Sequence, residues 1–163
     1  MSLVATECIN VYLAGGMRSN WQDKVKSAFC HEHIFDGKQC VRFLDPRDWN
    51  YALNAQFSSE ERSQTVSPAF EKAYTDKDIN GINQSSILIG YLEETNVSGA
   101  GLALELGYAR AMGKTIYLLI DEKHPSLRYW GMARALADQW FIIKNQSDFD
   151  ETILSIAHQI SVK

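Results

Sequence analysis

The feature that most narrows the possible architecture is a rhythm, in which short aliphatic runs alternate with stretches of helical periodicity. Cys8 to Ala14 is rich in Ile, Val and Tyr and ends at Gly15-Gly16, and Cys40 to Leu44 stops at Asp45-Pro46. Ser85 to Leu92 holds three aliphatics in a row at Ile87 to Ile89, Ile116 to Ile120 follows Lys114-Thr115, and Trp140 to Ile143 is the last run. Between them, Asn20 to His31 places Trp21, Val25, Ala28 and Phe29 at helical spacing. Pro68 to Asn83, Gly99 to Gly113 and Leu127 to Ala137 also read as helices. Asp148 to Ile160 closes the chain, with Asp148 as the expected N-cap. Strands that are apolar at nearly every position must be covered on both faces. The pattern therefore predicts an α/β fold with a parallel sheet between helices. Asn50 to Ser67 breaks the rhythm, being polar and long for a connection, and is read as a flap over a site.

Composition bounds the rest. With 163 residues, 45% of them hydrophobic, the chain can bury one core, so a single domain over residues 1–163 is expected. A net charge of −4 and a pI near 5.5 argue against a nucleic-acid polymer as partner. No run is long enough to span a bilayer and the amino terminus lacks a signal-peptide pattern, so a cytoplasmic protein is expected. Cys8, Cys30 and Cys40 are odd in number and lack C-x-x-C spacing. They predict neither a disulfide framework nor a zinc site, and fit a reducing compartment. His31 and His33 with Cys30 or Cys40 form no convergent ligand set, so no metal is expected.

Polar residues worth naming follow the strands: Gly15 to Arg18, Asp45 to Asp48, Glu93 to Glu105, and Asp121 to Arg128. Sheets of this kind bind ligands outside the carboxyl ends of their strands, so these segments are expected to form one pocket. Gly15-Gly16-Met17-Arg18 presents backbone N–H groups and a guanidinium, which suits an anion. It matches neither a dinucleotide fingerprint nor a P-loop, and no cofactor is expected. Glu105 shares a helical stripe with Leu102, Tyr108, Ala109 and Met112, where an idle carboxylate would be expelled by its desolvation cost. Asp78 shares a largely apolar face with Tyr74, Gly81 and Ile82, whereas Asp76 reads as a solvated charge. Two carboxyl groups converging on a pocket suit glycosidic chemistry, one attacking the anomeric carbon and the other handling the leaving group.

Val11 to Gly15, Asp78-Ile79-Asn80-Gly81-Ile82 and Gly101 through Lys114 together resemble the nucleoside 2-deoxyribosyltransferase superfamily over nearly the whole chain. Its most specific element here is Glu105-Leu106-Gly107-Tyr108-Ala109. The resemblance implies a flavodoxin-like (Rossmann-like) three-layer sandwich with a five-stranded parallel sheet. It implies Glu105 as the nucleophile of a deoxyribosyl-enzyme ester, Asp78 as the group that contacts the base and assists its departure, and Tyr12 as the hydroxyl that orients the carboxylate. It further implies a homodimer or larger homo-oligomer, with a neighbouring subunit completing each site.

The chain departs from the transferase pattern before the nucleophile helix. Asn96-Val97-Ser98-Gly99-Ala100 carries a small insertion and no acid for a sugar 5'-hydroxyl. Ser98 or a backbone N–H there would accept a phosphate. Arg18 falls where related deoxynucleoside 5'-monophosphate N-hydrolases place an Arg beside phosphate. Ser126, followed by Arg128, matches a Ser they use from the adjacent subunit. Gly15, Gly16, Met17, Gly99 and Gly101 complete the expected substrate-binding set, with Asp45 or Asp48 accepting amino hydrogens of a base and Trp21, Trp49 or Tyr51 stacking on it. The reading leans to 5'-monophosphates, with water or a second base as acceptor. The rival classes are a non-catalytic nucleotide-binding or sensor module and an NAD-type glycosidase on the same fold.

Overall fold

The computed structural model describes residues 7–31 and 39–161; of Glu7, His31 and Gln39 it describes the backbone. The expectations resting on the first six residues, on His33 and on the His31 side chain lie outside the described residues. Five strands, β1 (Glu7–Gly15), β2 (Gln39–Leu44), β3 (Ile87–Leu92), β4 (Thr115–Asp121) and β5 (Gln139–Ile143), form one sheet in the order β2-β1-β3-β4-β5. Every pairing is parallel, for example Tyr12 beside Leu88 and Leu88 beside Ile116. This is the flavodoxin-like strand order, and it places the topological switch point between β1 and β3.

The helices are α1 (Trp21–His31), α2 (Pro46–Gln56), α3 (Ser59–Ser63), α4 (Pro68–Gln84), α5 (Ala100–Ala111), α6 (Gly131–Leu136) and α7 (Gln146–Ser161). Alternate side chains of each strand serve opposite faces. Val11, Leu13, Ile89 and Leu119 pack with Val25 of α1 and Ile153 and Ile156 of α7. Tyr12, Leu88, Leu118 and Ile120 pack on the other face with Ile82 of α4, Leu102 and Leu106 of α5 and Trp130. That double cover is why the strands read as unbroken aliphatic runs: β3 is buried at every residue. Gly90 lets α5 settle onto the sheet, since a Cβ there would lie 3.0 Å from Leu102 Cδ1. After α5, Gly113 turns left-handed (φ 70°), and Lys114 donates to the carbonyls of Asn83 (3.0 Å) and Ser85 (2.6 Å) at the end of α4. A cation there meets the carbonyl end of a helix.

Four expectations need correction. Asn50 to Ser67 is largely helical: it holds most of α2 and all of α3, which starts with a capping box between Ser58 and Glu61. Its lack of apolar periodicity follows from shallow packing, because Pro46 and Leu53 are the buried residues of α2 and α3 buries none. The 127–137 stretch is a 3-10 turn (Leu127–Trp130) followed by the short α6. At α7 the capping oxygen belongs to Asn145, which accepts from Asp148 N–H (3.1 Å), while Asp148 accepts from Lys144 N–H (3.1 Å). Finally, Cys8 and Cys40 are joined as a disulfide, being direct partners in the β1–β2 register with Cα atoms 4.5 Å apart. Their separation of 32 residues conceals a pairing that strand register creates.

Candidate active site

A cleft of about 630 Å³ opens at the carboxyl ends of β1 and β3, walled by the Gly15–Met17 loop, α2, α4 and the start of α5. Tyr12 stands in β1 beneath it, fully buried, and its phenol donates to Glu105 Oε1 at 2.6 Å. Asp78 lies near enough to the same hydroxyl for the two to influence each other's protonation. Asp78 accepts a hydrogen bond from Trp49 Nε1 at 2.9 Å, and the Trp49 ring stacks on Tyr12, with centroids 6.2 Å apart. Gly81 makes this packing possible. A Cβ there would sit 2.8 Å from Tyr12 Cε2 and 3.0 Å from Trp49 Cη2.

The electrostatics follow from the geometry. Burial raises the Glu105 carboxyl most; the Tyr12 hydrogen bond lowers it and the charge of Asp78 raises it, leaving it at about 8. Burial also raises Asp78 above the ordinary carboxylate range, opposed by the bond from Trp49 and by the nearby Tyr12 hydroxyl. The Tyr12 phenol is pushed far upward by burial and by both carboxylates, so it stays a hydrogen-bond donor. Two carboxyl groups with elevated proton affinity flank one phenol in a cleft, an arrangement suited to acid–base chemistry and unlike that of solvated surface charges. Tyr12 engages Oε1 and leaves Oε2 without a hydrogen bond among the described residues. That oxygen is free to contact a ligand.

The structure gathers Gly15, Gly16, Met17, Asp78, Gly101 and Glu105 on the cleft, with Tyr12 below. Gly16 is locked from behind, because its carbonyl accepts from Trp21 Nε1 and Gln22 Nε2, both at 2.9 Å. Arg18 is exposed at the loop's edge, without an ion-pair partner among the described residues. Asp45 corrects the expectation: it is wholly buried, caps α2 through Arg47 N–H, and is held by Lys26 (2.7 Å) and the Arg47 guanidinium (2.7 Å). An Asp directly before Pro is an N-cap signal, and that demand consumes the carboxylate. Ser98 and Gly99 shape the turn into α5 without lining the cleft: Ser98 Oγ accepts from Ala100 N–H, and Gly99 is left-handed. Ser126 and Arg128 lie on the connection after β4, away from their own chain's cleft, with Arg128 against the exposed Tyr129 ring.

Of the aromatic candidates, Trp49 lines the cleft but is engaged with Asp78, Trp21 belongs to the opposite core, and Tyr51 is 80% exposed and outside it. The aromatic wall comes instead from Phe70 and Tyr74 of α4, packed edge to face at 5.5 Å. The sequence carries this as an i, i+4 ladder, Phe70-Tyr74-Asp78-Ile82, which extends the face of Tyr74, Asp78 and Ile82 by one turn. Asn50, Asn96 and Leu104 also line the cleft and had no distinguishing pattern.

Residues 11–150 match the nucleoside 2-deoxyribosyltransferase family. The chain belongs to that family. No curated protein matches the sequence. Among solved structures it is similar to a CMP N-glycosidase from Clostridium botulinum, at 18% identity over 88% of this chain and 97% of that one, with a TM-score of 0.49. It is also similar to Smu.1420 from Streptococcus mutans (12% identity, 95% and 98% covered, TM-score 0.42). A third is an NAD(P)H:quinone oxidoreductase from Methanothermobacter marburgensis (13% identity, 96% and 98% covered, TM-score 0.42). At these values the chemistry of the family member described here has to be argued from its own residues.

Proposed function

We propose that the protein cleaves the N-glycosidic bond of 2'-deoxyribonucleosides or their 5'-monophosphates, with Glu105 as nucleophile, and passes the sugar to water or to a second base. The observation that carries this reading is the desolvated Glu105 carboxyl, held by the Tyr12 phenol at 2.6 Å in a cleft shared with Asp78. Family membership supports it independently.

In the first step Glu105 Oε2 bonds to C1' as the bond from C1' to the base nitrogen breaks. The departing base takes the electron pair and receives a proton from the Asp78 carboxyl. In the second step water, or a nitrogen of another base, attacks C1' and the ester C–O bond breaks. Glu105 recovers its carboxylate and Asp78 regains the proton. Two displacements give net retention. A 2-deoxyribose lacks the electron-withdrawing 2'-hydroxyl, so positive charge develops easily at C1', and a nearby carboxylate in a dry cleft stabilises it.

The lean to 5'-monophosphates rests on the Gly15–Arg18 loop. A trans peptide points its N–H opposite its carbonyl. The Gly16 carbonyl faces α1, so the Met17 N–H points away from α1, toward the cleft side, with Arg18 beside it. Homo-oligomerisation is part of the proposal. It is supported by the apolar outer face of α5, with Leu104 76% exposed, and by Ser126 and Arg128 lying outside their own cleft.

Chromatography of single deoxynucleosides and deoxynucleotides incubated with the protein tests the reading. Free base released in water alone identifies a hydrolase, and exchange only with an added base identifies a transferase. Glu105→Gln is expected to lose turnover by orders of magnitude while remaining folded, and a 2-fluoro sugar should add mass to the peptide holding Glu105. Full activity in Glu105→Gln would falsify the assignment.

A further inference from the structure

The start of α5 is set by a loop, so the location of Glu105 depends on what fixes that loop. Residues 93–99 leave β3 and end at Gly99, which is left-handed (φ 59°) and so close to Trp130 that any Cβ would overlap the indole. Asn96 N–H donates to Glu93 O (3.0 Å), and Gly99 N–H donates to Asn96 Oδ1 (3.3 Å). These bonds are local. They give the turn its shape but not its place on the body of the protein.

From outside the segment His124 reaches it; this residue lies on the connection after β4 and is only 3% exposed. Nε2 lies 3.0 Å from Asn96 O, and Nδ1 accepts from Ser126 N–H at 3.2 Å. Because Nδ1 accepts, the ring proton sits on Nε2 and is donated to the Asn96 carbonyl; only the neutral ring satisfies both partners. The ring also meets Trp130 edge-on, with centroids 6.3 Å apart. Among the described residues no other side chain from outside the segment hydrogen-bonds residues 94–99.

We propose that His124 is a positioning residue for Glu105, tethering the loop after β3 to the loop after β4 and so fixing where α5 begins. It touches no substrate and acts through the helix. Glu105 follows Gly99 by about 9 Å of helical rise, so displacement of the helix start reaches the carboxylate almost undamped. The kinetic part rests on Glu105 being the nucleophile; the tether itself does not.

Two isosteres separate the bonds. His124→Gln places an amide nitrogen near the Nε2 position and keeps the donation to Asn96. His124→Asn places an amide oxygen near the Nδ1 position, keeps the bond from Ser126 and drops the tether. The measurements are kcat and KM on the deoxynucleoside or deoxynucleotide turned over, and the 13C titration of the Glu105 carboxyl, assigned with Glu105→Gln. His124→Asn is expected to lose on the order of 10- to 100-fold in kcat, with KM within about 3-fold. Its Glu105 midpoint should fall from about 8 as a loosened helix start admits water. His124→Gln should recover most of both properties. A folded His124→Asn with the parent's kcat and midpoint overturns the proposal, as does equal loss in the two variants. If the parent turns over no nucleoside, the functional reading fails, and the midpoint in His124→Asn still decides the tether. Should that variant not fold, His124→Leu, which keeps an apolar side chain against Trp130 and donates no hydrogen bond, is expected to show the same kcat loss and midpoint fall. Parental values there overturn the proposal.

Discussion

A buried carboxyl beside a second carboxyl is costly to ionise, and this sets two expectations for Glu105. The first concerns stability. The native carboxyl binds its proton up to about 8, whereas an unfolded Glu releases it near the model value of 4.5. Between those values the native state holds more protons than the unfolded one. The stabilising contribution is therefore full below 4.5 and is lost as pH rises through 8. Glu105→Gln, which cannot ionise, is expected to melt higher than the parent at pH 8 to 9 and to show a smaller difference at pH 5. The gap should be at most a few kcal/mol, and thermal melts at the two pH values check it. The second expectation concerns rate. Attack needs the ionised form, only about one tenth of the protein at pH 7 for a group at 8. The proposed mechanism also needs Asp78 to keep its proton, so kcat/KM is expected to follow a bell against pH whose limbs belong to the coupled pair. Tyr12→Phe removes the bond that lowers Glu105, so the profile moves to higher pH and the rate falls roughly 10- to 100-fold, the worth of a charged hydrogen bond. A pH profile of Tyr12→Phe that overlays the parent's is incompatible with that role.

Among the elements, α4 does the most to shape the cleft, and it does so with one face. Phe70 and Tyr74 form a wall, Asp78 brings a carboxyl group, and Gly81 leaves the gap into which Tyr12 and Trp49 fit. Base-on-aromatic stacking is worth about 1 to 3 kcal/mol. Tyr74→Ala is therefore expected to raise KM about 10-fold while leaving kcat within a few-fold, as steady-state kinetics will read. Gly81→Ala forces a methyl into the Tyr12 ring. It should cost about 1 to 3 kcal/mol of stability and lower kcat together with Tm, because the displaced phenol is the one bonded to Glu105. These elements also mark how far the sequence could be read. The strands and α1, α5 and α7 announce themselves because deep burial writes periodicity into them. Segments 46–63 stay silent because α2 and α3 bury almost nothing, and their helical character rests on local caps at Asp45 and Ser58. Glu105 and Asp78 were legible because carboxyl groups stand out against an apolar stripe, whereas Tyr12 came from the family resemblance. Asp45 misled because it follows a strand end as the ligand-binding segments do, while its buried charge is spent on Arg47 and Lys26. The Cys8–Cys40 bond and the His124–Asn96 contact arise between segments far apart in sequence, and no local pattern encodes them.

On the scale of the whole molecule, the cleft sits beside an unusual helix face. Outward residues of α5 include Ala100, Ala103, Leu104 and Ala111, with Arg110 as a lone exposed charge among them, and Met132 of the adjacent α6 is 79% exposed. Leu104 both lines the cleft and faces outward, so a second subunit seated there would close the site and bury apolar surface at once. In a two-fold dimer each protomer gives its partner what it receives. If Ser126 and Arg128 act across such an interface, Glu105→Gln and Arg128→Ala chains are defective in different halves of a shared site. A mixed dimer then has one site with both defects and one with an intact Glu105 facing an intact Arg128. With random exchange half of the dimers are mixed, so activity should return to about one quarter of the parental value, from two preparations nearly inactive alone. Leu104→Glu should abolish the recovery and shift sedimentation toward a monomer. Activity that stays at the sum of the two inactive preparations, while light scattering reports full subunit exchange, means that Arg128 takes no part across the interface.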